Sequence, residues 1–227
     1  MTLKLAIWDM DGTIVDSREV IQTAMSRAFE AMDLPAPEYD ATRKIVGLGL
    51  DEACLRLAPN DFDKTLLPDL VEAYRQAFIA RRTDPDFKEP LYSGALKTLE
   101  QLRQDNWLIA MATGKSHRGI RAIFDMHPLE QYFDTIWCAD DGPGKPHPFM
   151  VEEAMKAVGA ETHQTLMIGD AIFDIQMGNA AGVETHGVSW GFGTADELRA
   201  VDADFVHHDF TSLSDALSRF SRREMAQ

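Results

Sequence analysis

A short, mainly apolar run from Leu3 to Trp8 leads directly into Asp9-Met-Asp11-Gly-Thr. A run of that length, bounded by turn residues, reads as a strand buried on both faces. Asp9 and Asp11 then stand two residues apart at its carboxyl end, where like charges repel unless a cation separates them. The rest of the chain has to bury this strand and supply positive charge at its end.

Residues 17 to about 88 look helical throughout, with Val20, Ala24, Ala28 and Ala31 on one face and Leu66, Leu70, Val71, Tyr74 and Phe78 on another. After Lys88-Glu-Pro-Leu-Tyr-Ser-Gly the pattern switches to alternation. It predicts a helix over 95–104, a strand at 107–112, a helix from about Ser116, a strand at 135–138 and a helix over 148–158. A strand at 165–168, a helix near 173–181, a strand at 184–188 and two short closing elements complete it. Such alternation implies an α/β fold, a Rossmann-like parallel sheet covered on both faces. Residues 1–16 and 89–227 would form this core, and 17–88 an inserted all-helical domain. A length of 227 residues, with 45% hydrophobic and 26% charged, suits a folded core with a modest insert.

The net charge of −15 argues against nucleic acid as a partner, because phosphate backbones need clustered Lys and Arg. It also gives an anionic substrate no long-range attraction. A phosphate ester would need local cations: a lysine, a metal ion or both. The first apolar stretch is too short for a signal peptide or a membrane helix. Cys54 and Cys138, outside any CxxC pattern, read as small buried hydrophobes, and a reducing cytoplasm fits.

Ligands of open parallel sheets sit beyond the carboxyl ends of the strands. There the sequence places Asp9 and Asp11, then Thr113-Gly114-Lys115, then Gly-Lys145-Pro, then Gly169-Asp170 with Asp174 four residues on. Each piece alone has an ordinary reading as a turn, a helix cap or a solvated lysine. Gly114-Lys115-Ser116 also resembles the end of a Walker A loop, but that loop needs a glycine at position 109, which is Ile109. What remains is a hydroxyl and backbone N–H groups at a strand-to-helix junction, a natural anion site. Together the pieces are the inventory for moving a phosphoryl group on a metal ion.

The segments AIWDMDGTIVDS (6–17), IAMATGKS (109–116), GKPHP (144–148) and IGDAIFDIQMGNAAGVETHGVSWG (168–191) resemble, in order and spacing, the haloacid-dehalogenase-like superfamily of phosphohydrolases. The resemblance implies that Asp9 attacks phosphorus and forms an aspartyl-phosphate. Asp11 would protonate the leaving alkoxide and then activate water, which requires a pKa above the ordinary value of about 3.9. Mg2+ would take Asp9, the backbone carbonyl of Asp11 and Asp170, with Asp174 orienting the ion's waters. Thr113 and the Gly114 N–H would hold phosphoryl oxygens, and Lys145 would offset their charge. The aspartate at position 11 sets the chain apart from the dehalogenases it resembles, which lack it.

The helical insert resembles a small cap between the first and second motifs. Cap length and Val188-Ser-Trp-Gly-Phe-Gly resemble phosphoglycolate-phosphatase-like enzymes, implying a small phosphorylated metabolite as substrate and a monomer or homodimer. Three departures stand out: Ser93-Gly94 in the return linker, Gly114 where many relatives have Asn, and His147, which reads as a loop histidine. Arg43 or the loop at Gly47 could meet a carboxylate on the substrate, against the alternative of an exposed charged helix end. Two other functions stay open: a phosphosugar mutase on the same site, and last a non-enzymatic binding module, which the intact set of Asp9, Asp11, Lys145 and Asp170 disfavours.

Overall fold

The computed structural model describes residues 3–225. Its strands are β1 (Leu5–Trp8), β2 (Leu108–Thr113), β3 (Thr135–Cys138), β4 (Thr165–Gly169), β5 (Glu184–Val188) and β6 (Phe205–His207). All pair in parallel, in the order β3-β2-β1-β4-β5-β6. The chain thus winds outward to β3, returns to the other side of β1 and winds outward again. The crevice between the carboxyl ends of β1 and β4 is where such sheets bind ligands.

Side-chain alternation explains why both faces are covered. Ala6, Trp8, Ile109, Met111, Leu166 and Ile168 point into one apolar cluster, and Leu5, Ile7, Ala110, Ala112 and Met167 into a second on the other side. Between β1 and β2 lie α1 (Arg18–Ala31), α2 (Tyr39–Arg43), α3 (Leu50–Leu57), α4 (Leu67–Arg82) and α5 (Ala95–Gln104). Then follow α6 (His117–Met126), α7 (Phe149–Val158), α8 (Ile172–Ala181), α9 (Ala195–Ala200) and α10 (Phe210–Met225). Leu99 of α5, Ile123 of α6 and Leu217 of α10 close the first face, and Met150 of α7 and Met177 of α8 close the second.

The helices from α1 to α4 have a third apolar cluster of their own, including Val20, Met25, Phe29, Leu70 and Val71. Ala171, Phe173 and Phe192 join it from the sheet side, so the helical segment packs over the end of β4. Two residues of the apolar helical faces are not buried: Ala31 is exposed at the last turn of α1, and Leu66 is 41% exposed in a 3-10 turn before α4. The close of the chain also differs from two short elements. It is α9, β6 and a 16-residue α10, whose Leu213, Leu217 and Phe220 recur at helical spacing and are buried. Among the described residues no helix is long and apolar enough to cross a membrane.

Candidate active site

The strand ends bring the expected residues together. Asp9, one residue past β1, donates its backbone N–H to Ile168 of β4 at 2.9 Å, which locks the two carboxyl ends side by side. Asp170 follows β4, Asp174 lies in the first turn of α8, Thr113 ends β2, and Lys145 comes from the loop before α7. Lys145 Nζ is 2.5 Å from Asp9 Oδ1 and 2.6 Å from Asp174 Oδ1, with no side-chain exposure. Asp9, Asp170 and Asp174 each offer a carboxylate oxygen within 4.8 Å of the others. Above them opens a cavity of about 810 Å3 lined by Asp9, Asp11, Thr113, Gly114, Lys115 and Lys145 together with residues of α1, α4 and the 45–50 loop.

Burial dominates the electrostatics. It pushes the Asp9 carboxyl up to about 7 against the pull of Lys145, with Asp174 and Asp11 adding to the rise. Burial, then the neighbouring Asp9 and Asp174, likewise hold Asp170 well above the carboxylate range. Burial alone would lower the Lys145 ammonium, but Asp174 and Asp9 outweigh it and keep it above the ordinary lysine value. Asp174 has both oxygens engaged, one by Lys145 and one by the Ala171 N–H at 2.9 Å.

Asp170 sits in a cradle. Thr13 Oγ1 donates to its Oδ1 at 2.8 Å and the Phe192 N–H to its Oδ2 at 2.7 Å. A Cβ at Gly12 or at Gly191 would lie 2.2 Å from that second oxygen, so both positions must lack a side chain. Thr13 belongs to the first sequence motif, but a backbone N–H such as that of Phe192 leaves no mark in a sequence.

Asp11 heads an arrangement that sequence reasoning missed. Lys115 Nζ lies 3.1 Å from Asp11 Oδ1 and 3.8 Å from Glu89 Oε1, and Arg82 Nη2 lies 3.1 Å from Glu89 Oε2. The Phe78 ring faces both cations, with Lys115 Nζ at 5.0 Å and the Arg82 guanidinium at 4.9 Å from its centre. The Glu89 side chain is wholly buried between them. Charged groups of α4 and of the return segment are thereby tied to the carboxylate beside the nucleophile position. The only trace in sequence was Lys115 itself, one residue from the expected anion site.

Thr113 is fully buried, and its Oγ1 accepts the Lys115 N–H at 3.2 Å. Gly114 has a steric reason to lack a side chain: an added Cβ would stand 2.7 Å from the Gly47 carbonyl oxygen and 3.0 Å from that of Leu48. The Gly47 loop therefore does reach the site. Arg43 does not. Its guanidinium makes two contacts to Glu197 at 2.8 and 3.0 Å and one to the Phe192 carbonyl at 3.2 Å, clamping α2 to the segment around α9. It is neither a substrate ligand nor an exposed helix end, because Glu197 holds it outside the cavity. His147 is exposed, and its Nδ1 accepts the Phe149 N–H at 3.2 Å, a helix-capping role.

A divalent cation fits this site. Four carboxylates, Asp9, Asp11, Asp170 and Asp174, face two ammonium groups, Lys115 and Lys145, which leaves a formal −2 once Arg82 is set against Glu89. Hard carboxylate oxygens suit Mg2+. A second possible metal group, His117, Cys138 and Asp140, fits poorly: burial pushes the Cys138 thiol up to about 12, and Asp140 is taken by the His117 N–H. Cys54, its thiol also pushed up to about 12, is free and buried like Cys138.

Comparison with known proteins agrees with the geometry. The family described as haloacid dehalogenase-like hydrolase matches residues 6–188, from β1 to the end of β5. The chain belongs to the haloacid dehalogenase-like hydrolases. This haloacid dehalogenase-like hydrolase is 30% identical over 210 residues to a probable phosphatase, IndB, of Dickeya dadantii, covering 92% of this chain and 91% of that protein. It is 28% identical to a phosphoglycolate phosphatase of Vibrio parahaemolyticus, covering 95% of this chain and 96% of the relative. A solved hydrolase from Pseudomonas syringae superposes with a TM-score of 0.84 at 24% identity, covering 95% and 98% of the two chains. The expected family, fold and enzyme class, a phosphatase, hold.

Proposed function

We propose that this haloacid dehalogenase-like hydrolase cleaves a small phosphomonoester through an aspartyl-phosphate on Asp9, with Mg2+ as cofactor. The observation that carries it is the Asp9–Lys145–Asp174 arrangement: a buried carboxylate at a cavity, held by a fully buried lysine at 2.5 Å. Residues 17–88 act as the cap over that cavity. Asp9, Asp170 and the backbone carbonyl of Asp11 would hold the ion, which supplies positive charge to the phosphoryl oxygens and keeps Asp9 ionised.

Asp9 Oδ1 is engaged by Lys145, while among the described residues Oδ2 has no protein hydrogen bond and serves as the nucleophile. It forms an O–P bond as the ester P–O bond breaks, and Asp11 gives its proton to the departing alkoxide. Asp11 then takes a proton from water as that water attacks phosphorus, releasing phosphate and regenerating Asp9. Thr113 and the Gly114 N–H orient the phosphoryl oxygens, and Lys145 offsets their charge. Asp174, with both oxygens engaged, holds Lys145 in place.

Phosphate release from a panel of esters, run with Mg2+, with chelator and in Asp9→Asn, tests this reading. Mg2+-dependent release lost in Asp9→Asn is expected. Isomerised sugar phosphate without free phosphate would point to a mutase instead.

A further inference from the structure

Beyond the phosphoryl group, the cavity is about 810 Å3, in the range that encloses drug-sized ligands. Its far wall comes from the helical segment and is apolar: Ile21 and Met25 of α1, Ile45 and Leu48 of the loop, Phe78 and Ile79 of α4. A two-carbon acid such as glycolate would leave most of this wall against water.

Most of the lining cations are already paired with the protein's own carboxylates. Lys145 is taken by Asp9 and Asp174, Lys115 by Asp11 and Glu89, and Arg82 by Glu89. Arg43 is clamped to Glu197 outside the cavity. Of the two remaining lining arginines, Arg75 lies 3.8 Å from Glu72, and Arg118 is an exposed cation of the lining. Asp51, Glu52 and Asp140 also line the cavity and would repel a carboxylate. The Phe78 ring, which could otherwise meet a cationic tail, already faces Lys115 and Arg82. Tyr74, which burial first and Asp11 next keep un-ionised, adds a neutral hydroxyl to the lining.

We infer that the alcohol half of the substrate is mainly apolar and bulkier than a two- or three-carbon fragment. The inference rests on the phosphatase reading above and names its substrate class. It separates this chain from the phosphoglycolate phosphatases it resembles in sequence.

The test compares kcat/KM for benzyl and cyclohexylmethyl phosphate with phosphoglycolate, phosphocholine and inorganic pyrophosphate. The apolar probes are alkyl rather than aryl esters, so an acidic leaving group does not set the order. Wild-type enzyme should favour the apolar esters by about tenfold or more over each charged substrate. Ile79→Lys, which puts a free ammonium on the half-buried wall, should cut the benzyl-to-phosphoglycolate ratio by roughly tenfold. Thermal unfolding of that variant confirms that it is folded, and Ile45→Lys repeats the test if it is not. Preference for phosphoglycolate, phosphocholine or pyrophosphate overturns the inference while leaving the phosphatase reading intact, as does an unchanged ratio in the folded variant. Absence of Asp9-dependent release from every ester overturns both.

Discussion

Asp170 is fully buried with both oxygens already hydrogen-bonded, yet its carboxyl stays well above the usual range, first because of burial and then because Asp9 and Asp174 crowd it. Relief of that crowding should appear as stability, independent of turnover. Mg2+ at 100 times its dissociation constant should stabilise the wild type by ~2.7 kcal/mol, and Asp170→Asn should lose most of the resulting rise in Tm. Equal shifts in the two proteins would refute Asp170 as a ligand. Gly114 makes a second prediction. Forcing a Cβ into the 2.7 Å gap below the Gly47 carbonyl costs ~1–3 kcal/mol of overpacking, which the 45–50 loop can escape by lifting off. Gly114→Ala should therefore lower kcat/KM roughly tenfold, read by steady-state kinetics, and unaltered kinetics would show that the loop does not need this approach.

At the scale of elements, the β5–β6 edge carries a pH dependence unrelated to catalysis. His186 Nδ1 and His207 Nε2 are 3.0 Å apart, and burial, then His186, push the His207 imidazole down to about 4. The unfolded chain takes up that proton near 6.5, so between pH 6.5 and 4 it binds more protons than the folded one. Stability is therefore full above pH 6.5 and falls as pH drops toward 4. Urea unfolding at pH 7 and pH 5 should show a smaller loss in His207→Gln than in wild type. Identical losses would place the pH sensitivity elsewhere.

Elements were also where sequence and structure parted. β1, β2, β4 and the site residues at their ends were legible because short apolar runs stop at Asp9, Thr113 and Asp170. Arg43 was not, since its partner Glu197 lies 154 positions away and ion pairs have no period. The Asp11–Lys115–Glu89–Arg82 sequence of contacts was hidden for the same reason. The α10 helix had a readable stripe in Leu213, Leu217 and Phe220, diluted by the serines and charges between them.

For the whole molecule, a net charge of −15 opposes the approach of any phosphate ester, while the paired cations Lys145, Lys115 and Arg82 are mostly shielded at the site. Salt screens that long-range repulsion over a Debye length of about 10 Å at 0.1 M, but barely touches the buried pairs. Raising ionic strength from about 10 to 150 mM with Mg2+ saturating should increase kcat/KM while leaving kcat nearly constant. A fall in kcat/KM would mean that local cations steer the substrate more strongly than the overall charge repels it.

The most direct test of the account is to stop a single turnover of labelled ester with acid and locate the phosphoryl label by peptide mass spectrometry. The label should sit on the peptide containing Asp9, be released by hydroxylamine, and be missing from Asp9→Asn. Turnover with no label on that peptide at any quench time, or label on another side chain, would contradict an aspartyl-phosphate at Asp9.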